Sequence, residues 1–462
     1  MYNRLWLLLV GWWAGCAAGT RLGLSTSSYQ VEGASELRGV HVWDVFSHTA
    51  GKISDGSSGD VACDHYHRWA EDVENVAWTR AGFYRFSLSW TRLFPTEGNL
   101  SADGVRFYDG LINALLSKNV TPLVTLHHWD LPQVYQERFG GWQSREMVPV
   151  FREYAARCFS LFADRVSLWL TLNEPLTVAT LGYGSGYHAP GVAEPARAPY
   201  AAAYHMLLAH AEAYRAFHEA GHSGSVGVAL NSDFVMPRDP ASPQDADAAE
   251  RGLLWRVGWF ADPLFFGRFP EQMAARCGDR LRPLDVSEVR GTLDFFALNH
   301  YTTLTAWPDH NGDSSYFRDA EAAYGFPPGS PGSASPWLHV YPEGIYHLVG
   351  WLSRRYDLSA VPLYVTESGV STRPDEPADD RLRQSYLTEY LRHLLRAAAD
   401  FSVEVPAYCV WSLMDNFEWA EGYSQRFGVF AVDFPHTNRT PRTSAWLLRE
   451  MVNPSTGELQ VP

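Results

Sequence analysis

Short apolar, β-branched or aromatic runs alternate along the chain with longer stretches whose apolar residues recur at helical spacing. Eight such runs lie at 22–29, 83–90, 122–128, 168–172, 226–231, 295–299, 363–366 and 407–412, and each is short enough for a buried strand. Between them, 107–119, 150–165 and 386–400 place apolar residues one helical turn apart, which predicts amphipathic helices. Strand and helix repeated eight times predict an α/β fold, a single (β/α)8 TIM barrel around a parallel sheet. The chain has 462 residues, well beyond the roughly 250 of a minimal barrel, so the surplus belongs in long βα loops. One such loop is the Gly/Pro/Ser-rich 326–336. No compositional break and no internal repeat divides 20–462, which reads as one barrel domain.

Composition narrows the partners. A formal net charge of −15 argues against nucleic acid, because binding there rests on Lys and Arg displacing counterions from phosphates. Aromatic residues make up 14% of the chain, with 18 Trp. Such rings stack on the apolar faces of sugars, although large barrels also use them to fill the layer between sheet and helices. Five scattered cysteines form neither a disulfide framework nor a CxxC metal site. Residues 1–19 join Arg4 to an apolar run and then to small residues, the layout of a signal peptide, which predicts a secreted protein or one in the lumen of the secretory pathway. No later segment offers 18 uninterrupted apolar residues, so no membrane span is expected in the mature chain. Acceptor sequons at Asn99, Asn119 and Asn438 agree with that route and with a glycoprotein.

The polar residues that carry chemistry gather at the ends of the predicted strands. Gln30, Arg85, His128, Glu174, Asn299 with Tyr301, Glu367, and Trp411 all fall at or just past an apolar run, and in a barrel those C-terminal ends share one face. In 169–175 (WLTLNEP), Pro175 disfavours helical geometry at Glu174 and predicts an extended residue there. Alone, a Glu before Pro is an ordinary loop residue. A second strand, 362–369 (PLYVTESG), ends the same way on Glu367, so two carboxyls face one cavity. Breaking a glycosidic bond needs such a pair, one group to protonate the leaving oxygen and one to attack or stabilise the anomeric carbon. His127 and His128 are adjacent on a strand, point to opposite faces and cannot chelate one ion. Residues 63–67 (CDHYH) read as the packed start of a helix, not as a zinc site. With no Gly-rich phosphate loop either, neither a metal nor a cofactor is expected.

The two carboxyl segments resemble glycoside hydrolase family 1, whose acid/base lies in T-x-N-E-P and whose nucleophile lies in T-E-N-G. The resemblance runs on through 25–33 (STSSYQVEG), 84–95 (YRFSLSWTRLFP), 125–133 (TLHHWDLPQ), 298–303 (LNHYTT) and 410–423 (VWSLMDNFEWAEGY). It implies Glu174 as acid/base and Glu367 as nucleophile of a retaining β-glycosidase acting on small β-glucosides, with β-galactosides and β-fucosides as further substrates. It also implies that Gln30, His128, Asn173, Glu418 and Trp419 contact the sugar over a floor formed by Trp411. Tyr301 would complete the binding set by bonding the nucleophile, Arg85 would keep Glu367 ionised, and Asn299 would support them. The Glu418 carboxylate, against O4 and O6, would repel a 6-phosphate.

Two departures from the family pattern stand out: Thr20 and Leu22 occupy the places of the Phe and Trp with which the first strand normally begins, and Ser368 replaces the Asn after the nucleophile. The alternative function is a non-catalytic glycan-binding or co-receptor-like barrel, in which one of the two glutamates is typically lost; here both are present.

Overall fold

The computed structural model describes residues 19–281, 284–310, 315–376, 379–434 and 436–461. Its centre is a closed barrel of eight parallel strands in sequential order. They are β1 (Arg21–Ser25), β2 (Phe83–Ser87), β3 (Thr121–His127), β4 (Leu168–Asn173), β5 (Ser225–Asn231), β6 (Phe295–Asn299), β7 (Leu363–Ser368) and β8 (Ala407–Trp411). The barrel closes where β1 pairs with β2 on one side and with β8 on the other, with Gly23 opposite both Phe83 and Cys409. The expected helices form as Ala102–Ser117, Met147–Phe162 and Arg381–Phe401, each with its apolar face buried. His65–Trp78 is the helix whose start the CDHYH segment supplies.

Two predicted strands are shorter than their apolar runs. After Ser25 and Ser87 the chain turns into Ser28–Val31 and Trp90–Leu93, both helical turns with every residue buried. A buried turn and a buried strand look alike in hydrophobicity, which is why the runs to 29 and 90 overshoot. In the other direction, β4 reaches Asn173 and β7 reaches Ser368. Both carry a register shift at that end, between Leu170 and Asn173 on β4 and between Val365 and Glu367 on β7. Such irregularities re-aim the side chains that follow them, and here those side chains include both glutamates.

Two small apolar clusters made of strand residues fill the barrel interior, one of Leu123, Leu170, Ala229, Phe295 and Ala297 and the other of Phe83, Ala407 and Cys409. The much larger core lies between sheet and helices. The replacements at the start of β1 are accommodated: Leu22 is fully buried in that layer, and the Thr20 hydroxyl donates to the Val405 carbonyl at 2.7 Å. Cys63, Cys158, Cys277 and Cys409 are buried free thiols, while Asn99, Asn119 and Asn438 are exposed. The signal-like segment lies outside the described residues up to residue 18. Among the described residues, no helix is long and apolar enough to cross a membrane.

Candidate active site

The strand ends surround a cavity of about 290 Å³, lined by His128, Asn173, Glu174, Asn299, Tyr301, Glu367, Trp411, Glu418 and Trp419 among others. Gln30 and Arg85 stand behind this surface, fully buried. A larger outer groove, about 1160 Å³ and lined by Val40, Phe94 and Tyr135 among others, contains none of these residues.

Glu174 is not extended, as the following proline had suggested. Its backbone sits in the left-handed region at φ 47° and ψ 64°. Proline excludes the right-handed helical region for its predecessor, but it does not choose among the remaining conformations. The choice is made by tertiary bonds: the Glu174 amide donates to Ala229 on β5 at 2.8 Å, and the Glu174 carbonyl accepts from Val178 at 3.1 Å. The chain thus leaves the sheet and enters a helical turn at one residue. That conformation is strained for a non-glycine residue and is the kind held in place at functional sites.

The Glu174 carboxyl accepts from Asn299 Nδ2 at 2.8 Å and from the Thr177 hydroxyl at 2.8 Å. Burial and the nearby Glu367 carboxylate push it up to about 8, since both disfavour the charged form. Glu367 is treated differently. Its Oε1 accepts from Arg85 and its Oε2 from the Tyr301 hydroxyl at 2.6 Å. Gly369, two residues on, lets the following loop pass over Trp411, whose carbonyl oxygen would lie 2.0 Å from any Cβ at that position.

Asn173 ties the two halves together. Its Oδ1 accepts from Arg85 at 2.6 Å and from Asn299 at 3.1 Å, and its Nδ2 lies 3.0 Å from His128 Nε2. The amide therefore donates to His128, which fixes that ring nitrogen as the acceptor. Burial and Arg85 hold the His128 imidazole well below its ordinary range, so the ring is neutral. His127 points away and packs edge-on against Trp142 and Phe151, as strand alternation requires. Among the described residues, no group of three or more His, Cys, Asp or Glu side chains is placed to hold a metal ion.

On the other wall, the Gln30 amide donates to the Phe417 carbonyl at 2.9 Å and to Glu418 Oε2 at 3.3 Å. Burial, followed by the charge of Glu367, pushes Glu418 up to about 8. At neutral pH it is mostly a neutral acid, so the expected like-charge repulsion of a 6-phosphate by Glu418 itself does not hold. Trp411 is buried, with its ring 5.9 Å from His128, and Trp419 packs 4.4 Å from Trp129.

Three residues of this network went unmarked in the sequence. Thr177 lies one helical turn beyond Glu174, and Asn231 at the end of β5 donates to its hydroxyl at 3.0 Å. Thr366 donates to Asn299 Oδ1 at 2.7 Å, orienting that amide so that its nitrogen faces Glu174. The hydroxyl of Thr177 was the legible signal, three residues after Glu174.

A sequence model of glycosyl hydrolase family 1 matches residues 19–456. The chain belongs to glycosyl hydrolase family 1. Within the family it is 40% identical to β-glucosidase 42 of Arabidopsis thaliana, over 92% of each protein. Among solved structures, a rice β-glucosidase variant in covalent complex with Glc superposes with TM-score 0.90 at 36% identity, covering 94% of this chain and 99% of that one. β-Glucosidase 2 of the fungus Trichoderma reesei, in complex with Tris, gives TM-score 0.90 at 37% identity over 95% and 100% of the two chains. This family 1 member is accordingly a glycoside hydrolase of the β-glucosidase type.

Proposed function

We propose that the protein hydrolyses terminal β-D-glucosides with retention of configuration through a covalent glycosyl-enzyme, with Glu367 as nucleophile and Glu174 as acid and then base. The observation that carries this reading is the contrast between two carboxyls in one cavity. Glu367 receives a guanidinium and a hydroxyl, whereas Glu174 has no direct cation and keeps its proton up to about pH 8. A buried carboxyl that holds its proton suits the acid, and one held by a cation and a hydroxyl suits the nucleophile. The rice relative forms a covalent complex with Glc, which supports a covalent glycosyl-enzyme.

In this reading the sugar lies on Trp411, with His128, Asn173, Glu418 and Trp419 around its hydroxyls and Gln30 bracing Glu418. Tyr301 and Arg85 position the nucleophile, and Asn299 positions the acid. In the first step Glu367 attacks the anomeric carbon while Glu174 gives its proton to the leaving oxygen. In the second, the same carboxylate takes a proton from water as the ester breaks. The signal-like layout of 1–19 and the exposed Asn99, Asn119 and Asn438 support a secreted glycoprotein.

Turnover of a panel of aryl β-glycosides tests the proposal. Glucoside, fucoside and galactoside are all expected to react, with galactoside at reduced efficiency, because a protonated Glu418 can both donate to and accept from O4 and O6. A 6-phospho-β-glucoside is expected to fall more than tenfold below the glucoside. No Lys or Arg is among the described residues lining the cavity, so a phosphate on O6 would lie against the Glu418 carboxyl with no cation to offset its buried charge. Absence of all turnover would return the barrel to the glycan-binding reading, and efficient phosphoglucoside hydrolysis would contradict the role of Glu418.

A second expectation concerns Thr177. Its hydroxyl donates to Glu174 and so favours the charged form. In Thr177→Val that donor is gone, the Glu174 proton is held more tightly, and the alkaline limb of kcat/KM moves to higher pH. A pH profile with the limb unmoved or shifted downward would show that Thr177 does not set the acid.

A further inference from the structure

Outside the sugar-sized end, the cavity opens between the segment that follows Glu174 and the one that follows Trp411. Tyr187, half exposed, reaches from the first to the second and donates its hydroxyl to Glu421 Oε1. Trp337, equally exposed, stands on a third side, with its ring edge-on to Tyr301 at 5.6 Å. The mouth therefore has flat apolar surfaces and one carboxylate between them.

Charge at this mouth is one-sided. Five acids line the cavity, Glu174, Asp233, Glu367, Glu418 and Glu421, and no Lys or Arg is among the described lining residues. Two of the five have a cation against them, since Glu367 faces Arg85 and Asp233 lies 3.2 Å from Arg256 Nε. Glu174 and Glu418 are both deep and held protonated at neutral pH. Glu421 differs from all of these: its side chain accepts from Tyr187, and among the described residues no Lys or Arg forms an ion pair with it. Its position is fixed from behind as well. Ser54 donates its amide to the Ala420 carbonyl at 2.8 Å and its hydroxyl to the Glu421 carbonyl at 3.0 Å. The next residue, Gly422, sits against Asp55 so closely that a Cβ there would lie 2.0 Å from the carboxylate.

We infer that Glu421, held across the mouth by Tyr187, is a specificity-determining residue that admits flat neutral or cationic aglycones and turns away anionic ones. The inference rests on the β-glucosidase reading above. An aglycone leaving the anomeric carbon must lie between Tyr187 and Trp337, and a carboxylate on its far edge would face Glu421 with no cation to offset the two charges. At a partly solvated mouth, one such like-charge contact is worth about tenfold in kcat/KM, and it weakens as salt screens it.

The test uses the β-glucosides of methyl 4-hydroxybenzoate and of 4-hydroxybenzoate, whose aglycones differ by one carboxylate. Comparing their kcat/KM ratio between enzyme forms cancels their different leaving abilities. In Glu421→Gln the ratio of ester to carboxylate is expected to fall about tenfold, through an absolute rise in turnover of the carboxylate substrate, a gain that misfolding cannot imitate. Should that variant fail to fold, the wild-type ratio decides: it is expected to fall as ionic strength rises from about 0.01 to about 0.5 M. A ratio unchanged by the substitution, or by salt, would overturn the role of Glu421 and leave the hydrolase reading intact. Failure of the wild type to cleave either glucoside would overturn both.

Discussion

Hydrolysis of aryl β-glucosides by Glu367→Gln is expected to fall by more than about ten-thousand-fold, the scale on which loss of a covalent nucleophile is felt. Gln fits the space but cannot attack the anomeric carbon, and its amide meets the wrong partners. Both oxygens of Glu367 accept, one from Arg85 and one from Tyr301, so an NH2 group must either face the donor-only Arg85 or turn the Tyr301 hydroxyl from donor to acceptor. Arg85 is fully buried and keeps Asn173 and the Thr366 carbonyl as partners, but it loses its charge partner. Breaking a buried pair of this kind costs on the order of 3–5 kcal/mol, so the variant should also melt at lower temperature. Steady-state assays and intact-mass detection of the glycosyl-enzyme check the prediction. A variant that retained activity within a hundredfold of wild type would exclude Glu367 as nucleophile.

Glu174→Ala is expected to slow cleavage by about 100-fold to 10,000-fold for poor leaving groups and far less for activated ones, since only the former need the proton. The part of the wild-type alkaline limb that Glu174 sets should disappear with it. In the wild type the reactive form is the protonated one, favoured by burial and by Glu367 up to about pH 8, so activity is lost as pH rises through that value. Glu418 titrates in the same range, so the wild-type limb belongs to both groups and the variant separates them. Azide should restore turnover in Glu174→Ala alone, because the small anion enters the emptied space and attacks the glycosyl-enzyme without a base. If azide gave no more β-configured product in the variant than in wild type, Glu174 would not be the acid/base.

The eight strands were legible because a parallel sheet buried on both faces demands continuous apolar runs, and the two glutamates because each follows such a run at one end of the barrel. The ends of the runs were less legible. Tyr29 and Trp90 are as buried as strand residues, but they belong to helical turns that hydrophobicity alone does not distinguish from strand. The left-handed backbone at Glu174 depends on a bond to Ala229, a residue on the neighbouring strand and far along the chain. Protonation of Glu418 was illegible for the same reason, since it follows chiefly from burial and from Glu367 on another strand. The contact between Tyr187 and Glu421 joins two loops whose relative placement only the folded barrel sets. Thr177 was within reach, a hydroxyl one turn beyond the acid.

Retention of anomeric configuration is the most direct consequence of two glutamates acting as nucleophile and acid/base, because attack by Glu367 leaves no room for water beneath the sugar and two inversions restore the original configuration. Proton NMR of the sugar released in the first minutes from an aryl β-glucoside, before mutarotation, decides it. The β-anomer is expected as first product, and initial release of the α-anomer would contradict a retaining mechanism.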